Sequence, residues 1–120
     1  MWQAKDRLTT SVANAIERQL PERIVGVEVE ITSSDGLKIG EYDILGDDFI
    51  IEVTEGKGAD KVKQVTRIAA ENPGMRIAVY APHPGFNAIA WANLEEIANR
   101  AGAVRVVGDL IALISWVEGR

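Results

Sequence analysis

The sequence predicts an α/β fold: a mixed β-sheet, made of a three-stranded antiparallel meander plus two parallel strands, flanked by helices. Three observations predict it. Apolar residues first recur at helical spacing, then alternate through three short stretches separated by tight turns, then return as alternating helix and strand segments. Strands joined by tight turns pair antiparallel, whereas strands separated by helices need right-handed crossovers and join in parallel. Finally, Arg76 to Ala81 is a short apolar run, the pattern of a strand buried on both faces.

Each element has its own signal. From Asp6 to Leu20, Leu8, Val12, Ile16 and Leu20 recur every four residues, an amphipathic helix stopped by Pro21. Ile24 to Ile31 sets Val25, Val27 and Val29 against Gly26, Glu28 and Glu30, a strand with one wet face. Ser33-Ser34-Asp35-Gly36 is a turn cluster leading into a strand from Leu37 to Leu45, and Phe49 to Thr54 completes the meander. Gly56-Lys57-Gly58 breaks the strand and opens a helix, with Asp60 in its first turn and Val62, Val65 and Ala69 on its inner face. Asn72-Pro73-Gly74 ends that helix before the Arg76–Ala81 strand. Pro82-His83-Pro84-Gly85 is a loop, Phe86 to Ala101 a helix closed by Gly102, Ala103 to Val107 a last strand and Asp109 to Val117 a last helix. No internal repeat or low-complexity segment interrupts this order.

A chain of 120 residues fits a single domain, residues 1–120, with one real core. Its 47% hydrophobic and 26% charged residues are ordinary for a globular protein. No apolar run approaches the roughly 20 residues that span a bilayer, so no membrane partner is expected. Met1-Trp2-Gln3-Ala4-Lys5-Asp6 lacks the pattern of a signal peptide, so a cytoplasmic location is expected. The absence of cysteine excludes disulfides and thiolate metal sites. A net charge of −5 disfavours non-specific attraction to duplex nucleic acid.

The most informative stretch is Gly40-Glu41-Tyr42-Asp43-Ile44-Leu45-Gly46-Asp47-Asp48-Phe49-Ile50-Ile51-Glu52-Val53-Thr54. With Asp47-Asp48 as a two-residue hairpin turn, Asp43 falls opposite Glu52 and Glu41 opposite Thr54, all on one side of the sheet. Opposed carboxylates repel unless something positive lies between them, and a divalent cation with oxygen ligands is the natural candidate. The flanking Ile44, Ile50, Ile51 and Val53 argue that the pair is buried rather than a solvated strand face.

The α-β-β-β-α-β order, with Asp43, then Glu52-Val53-Thr54, then a helix bearing Gln64, resembles the PD-(D/E)xK nuclease superfamily. Restriction endonucleases, archaeal Holliday-junction resolvases and many toxin nuclease domains share that core. The resemblance covers roughly Asp6 to Ala81 and implies a restriction-endonuclease-like core carrying a metal-dependent endonuclease. It assigns Asp43 and Glu52 as ligands of Mg²⁺ or Mn²⁺ and Gln64 as a residue that orients the site or touches the scissile backbone; Glu41, two residues from Asp43 on the same face, is a candidate added ligand. Glu17 is a weaker candidate, since many family members place an acid on the first helix. The motif lysine, which positions or deprotonates the attacking water, is replaced here by Thr54. Glu-x-Thr variants with a similar glycine–lysine turn occur in toxin-like branches. Lys57, flanked by two glycines, is the favoured surrogate, and Lys61, which shares a helix face with Gln64, the second.

The resemblance implies a DNA or RNA substrate, an immunity protein and delivery to a target cytoplasm if the chain is a toxin domain, and a homodimer if it is resolvase-like. Arg67, Arg76, Arg100 and Arg105 are the other cations available to line a groove. Set against this, Thr54 is also a plain β-former, Lys57 a plain turn residue, Gln64 a simple strand contact, and Lys61 and Lys63 a solvated helix face. His83, the only histidine, is read as structural and Trp91 as helix core, while Trp2 and Trp116 either pack together or mark a partner surface. The second function class is a scaffold of this type without activity, serving as a binding or assembly module. Thr54 and the net charge favour it.

Overall fold

Among the described residues five strands pair in chain order, β1 (Ile24–Thr32), β2 (Lys38–Gly46), β3 (Phe49–Val53), β4 (Arg76–Tyr80) and β5 (Val104–Val107). The computed structural model describes residues 1–55, 59–82, 92, 93, 95, 96 and 104–119. The β1–β2 and β2–β3 pairs are antiparallel, and the β3–β4 and β4–β5 pairs parallel, which is the predicted mixed sheet. Three helices accompany it among the described residues: α1 (Arg7–Gln19), α2 (Ala59–Glu71) and α3 (Leu110–Glu118). Of the helix predicted over 86–101, Ala92, Asn93, Glu95 and Glu96 are described and helical; His83, Trp91 and Arg100 lie outside the described residues. No helix among the described residues is long and apolar enough to cross a membrane.

Local chemistry sets the helix ends. The Asp6 carboxylate accepts from the Thr9 backbone N–H at 2.9 Å and so caps α1, and Asp109 does the same for α3 through Ala112 N–H at 2.8 Å. Pro21, just beyond the C-cap Leu20, cannot continue α1. Gly74, at φ 89°, makes the turn that separates α2 from β4, a backbone shape that favours glycine.

Alternation along the strands sorts side chains onto two faces. On one, Ile44, Phe49, Ile51, Val53, Ala78 and Tyr80 pack with Val12, Ala13 and Ile16 of α1 and Leu113 and Val117 of α3. On the other, Ile50, Ile77, Val79 and Val104 pack with Val65 and Ile68 of α2. Ile68 joins this inner face, while the predicted Ala69 lies half-buried at its margin. Trp2 and Trp116 both pack onto the α1/α3-side core, and Trp116 meets the Phe49 ring edge-on with centroids 6.2 Å apart.

The β2–β3 hairpin has the register that a two-residue Asp47-Asp48 turn dictates, Ile44 opposite Ile51 and Leu45 opposite Ile50. Both turn acids are neutralised. Arg23 donates to Asp47 at 3.0 Å and to Asp48 at 2.9 Å, and Arg76 donates to Asp48 at 3.2 Å. Arg76 also donates to the Trp116 and Val117 carbonyls at 2.5 and 3.0 Å, so it is a structural clamp rather than a groove cation.

Candidate functional site

Asp43 lies on β2 immediately before Ile44, and Glu52 on β3 immediately after Ile51, so the hairpin register brings them across from one another. Glu52 follows Ile50 on the α2 side of the sheet, with its side chain fully buried. The two strands exchange side-chain bonds here. Glu52 Oε2 accepts the Asp43 backbone N–H at 2.9 Å, and Asp43 Oδ2 accepts the Val53 backbone N–H at 2.8 Å. From the first turn of α2, Lys61 Nζ reaches Asp43 Oδ2 at 3.1 Å and stands 3.7 Å from Glu52 Oε1. The positive charge that the opposed carboxylates require is therefore supplied by Lys61, the second of the two lysines considered; Lys57 lies outside the described residues.

The electrostatics follow from burial. Loss of hydration, with the Asp43 charge beside it, pushes the Glu52 carboxyl from its ordinary 4.5 up to about 7, against the opposing pull of Lys61 and the Asp43 N–H. One oxygen of this group, Glu52 Oε1, is buried and has no hydrogen-bond partner among the described residues, since 3.7 Å is too long for a bond from Lys61. A buried carboxylate oxygen left without a donor is costly, and it is the kind of hard ligand that Mg²⁺ or Mn²⁺ takes. Asp43 and Glu52 are thus the two described residues that could together hold a divalent cation. Among the described residues no group of three acids or histidines comes together around one point, so the protein side of such a site rests on these two carboxylates.

The other residues singled out fall around this pair in different ways. Glu41 is not brought to it: it pairs with Glu30 on β1, and Lys38 holds its carboxylate at 2.7 Å. The β2–β3 register does not extend to Glu41 and Thr54, because β3 ends at Val53 and Thr54 turns to β4, its N–H donating to the Tyr80 carbonyl at 3.0 Å. Thr54 is buried directly beyond Glu52 and Val53. Gln64 is half-buried one turn beyond Lys61. Glu17 is engaged elsewhere, accepting from the Trp2 indole N–H at 3.0 Å and the Glu22 N–H at 2.9 Å. It stands on α1, which covers the opposite face of the sheet from Glu52.

Arg67, a candidate groove cation by sequence, has a more particular position. It donates to the Ile39 carbonyl at 3.2 Å and lies so close over Gly40 that a Cβ there would meet Nη2 at 2.6 Å. Further along, Asn72 donates to the Tyr42 hydroxyl at 3.0 Å. Lys61, Arg67 and Asn72 therefore tie α2 and its C-terminal end to β2 at Asp43, Ile39 and Tyr42. The glycine at 40 is a trace of this brace in the sequence. No protein-family model, curated protein or solved structure matches the chain.

Proposed function

We propose that the chain is a divalent-metal-dependent phosphodiesterase acting on nucleic acid, a nuclease of the PD-(D/E)xK type. One observation carries the reading: two carboxylates from adjacent strands converge beside a helix lysine, with a buried Glu52 oxygen left without a donor. The element order and strand pairing, a meander continued by parallel strands with helices on both faces, support a restriction-endonuclease-like core.

Asp43 and Glu52 would hold the cation, each fixed by a backbone amide of the opposite strand and so held in place before any ligand arrives. When bound, Mg²⁺ or Mn²⁺ supplies Lewis-acid polarisation of a phosphodiester oxygen and a more acidic water. Lys61 takes the place of the missing motif lysine: its ammonium, on a long flexible stem, offers a positive charge to the developing phosphoryl charge. Thr54 lines the same end of β3, and Gln64 stands on the helix face that Lys61 begins. The substrate class is a phosphodiester backbone, DNA or RNA.

The second reading is the same scaffold without catalysis, a binding module. Thr54 in the lysine position and an acid pair already facing the Lys61 ammonium favour it. One experiment separates the two. The protein, Asp43→Ala and Glu52→Ala are incubated with Mg²⁺ or Mn²⁺ and a panel of tRNA, plasmid and branched DNA. Metal-dependent cleavage that falls at least about a hundredfold in both variants establishes the nuclease, and the substrate consumed names its branch. No cleavage, with no calorimetric binding of either ion, leaves the binding module.

A further inference from the structure

We infer that Lys61 is an exchangeable counter-ion: its ammonium and a divalent cation compete for the same carboxylate oxygens, so Lys61 sets the metal affinity of the site and holds the metal-free protein together. This rests on the metal reading above and adds to it a role for Lys61 distinct from catalysis. The geometry points there. Nζ bonds Asp43 Oδ2 at 3.1 Å and lies 3.7 Å from Glu52 Oε1, within reach of both oxygens a shared cation would take. Asp43 Oδ2 already accepts from Val53 N–H and from Lys61, so a magnesium ion binding it at about 2.1 Å takes the lone pair that the ammonium uses. The repulsion between the two cations at this range acts in the same direction.

The fit of the ammonium is also incomplete. It satisfies Asp43 and leaves Glu52 Oε1, fully buried, without a hydrogen bond. An occupant that leaves a buried carboxylate oxygen unsatisfied is one that a better ligand can replace. Lys61 is placed to leave: it sits in the first turn of α2, about a fifth of its side chain is exposed, and its stem can swing the charge into water. Without either cation, two carboxylates would face each other in a desolvated setting, a strongly unfavourable state.

The test measures metal binding and stability rather than activity. Mn²⁺ and Ca²⁺ are titrated calorimetrically into the wild-type chain, Lys61→Gln and Lys61→Met, and thermal unfolding is followed with and without each ion. The expected result is at least tenfold tighter ion binding by both variants than by wild type. The metal-free variants should also melt lower, and saturating Mn²⁺ should raise their melting temperatures by more than it raises that of the wild type. Lys61→Gln keeps a hydrogen bond for Asp43, so it carries the measurement if Lys61→Met does not fold. Binding to the variants that is equal to or weaker than wild type overturns the competition while the metal site stands. If neither wild type nor variant binds either ion, the metal reading fails and the inference with it.

Discussion

Asp43 and Glu52 are each bound to the other's strand: the Glu52 carboxylate accepts the Asp43 N–H at 2.9 Å, and the Asp43 carboxylate accepts the N–H of Val53 at 2.8 Å. Where the β2–β3 register pairs stop at Ile44 and Ile51, side-chain oxygens take up the backbone donors. The amides would otherwise be buried without partners, so the acids are part of the local fold as well as a candidate site. The same bonds hold two like charges close together, and Lys61 is the only described cation paired with both. Removing a charge and removing an acceptor at this place are therefore different perturbations.

Stability in metal-free buffer should fall as pH rises from about 4.5 to about 7. Glu52 has a folded value of about 7 against 4.5 when unfolded, so between these the folded state binds more protons and loses stability with rising pH. The full difference is about 3 kcal/mol, present below the unfolded value and lost above the folded one. Urea unfolding at pH 5 and pH 8, with a chelator present, measures it. Glu52→Gln should remove this slope, and a wild type whose slope equals that of Glu52→Gln would show that Glu52 titrates normally.

Asp43→Asn and Asp43→Ala should separate. The asparagine keeps an oxygen for the Val53 N–H and for Lys61, so it should cost less than about 1 kcal/mol of stability while weakening Mn²⁺ binding at least about tenfold. The alanine leaves the Val53 N–H and the Lys61 ammonium without that partner and should cost about 1–3 kcal/mol more. Chemical denaturation and calorimetry on both variants check this. Equal stabilities would mean that the Asp43 acceptor is not holding β2 to β3.

The hairpin was legible in the sequence because one short turn fixes its register, and alternation then assigns every side chain to a face. That reasoning located Asp43, Glu52 and the burial around them, and the change from antiparallel to parallel pairing followed from which connections were long enough to be crossovers. It misplaced Glu41, because a strand's alternation says which face a residue takes but not which neighbour claims its charge; Lys38, three residues earlier, does so. Lys57, favoured on the strength of a glycine-flanked turn, lies outside the described residues, and Lys61 is the described lysine that reaches the acid pair. Which helix lysine reaches a strand acid depends on how α2 is docked, and that is set by Val65, Ile68, Arg67 and Asn72 together. No short-range pattern encodes a sum of that kind. Asp47-Asp48 shows the same limit, read as a turn but held by Arg23 and Arg76, one 24 residues earlier and the other 28 residues later.

Gly40 and Arg67 should behave as a coupled pair. A Cβ at residue 40 would meet Arg67 Nη2 at 2.6 Å, and the guanidinium is the far end of a flexible side chain, so it can retreat. Gly40→Ala should therefore cost about 1 kcal/mol, through loss of the Arg67 bond to the Ile39 carbonyl, and much less in an Arg67→Ala background. A double-mutant cycle on urea stability should give a coupling of about 0.5–1 kcal/mol. Strict additivity would mean that the guanidinium does not rest on Gly40.

Gly46→Ala should be the more damaging glycine change, because the obstacle cannot move. The added Cβ would lie 2.2–2.5 Å from three Phe49 ring carbons. Phe49 is fully buried, with Trp116 edge-on against it and the Arg23 guanidinium 5.5 Å from its centroid. Such overpacking typically costs about 1–3 kcal/mol, and the absence of a free direction for the ring puts this site at the upper end. The urea midpoint should drop while its slope stays unchanged, since the native core loosens without a new unfolded state. Shrinking the obstacle should help: Gly46→Ala with Phe49→Leu should be less destabilised than the sum of the two single changes, because the leucine vacates the space that the methyl needs. If the double variant is as unstable as that sum, the ring is not what excludes a side chain at residue 46.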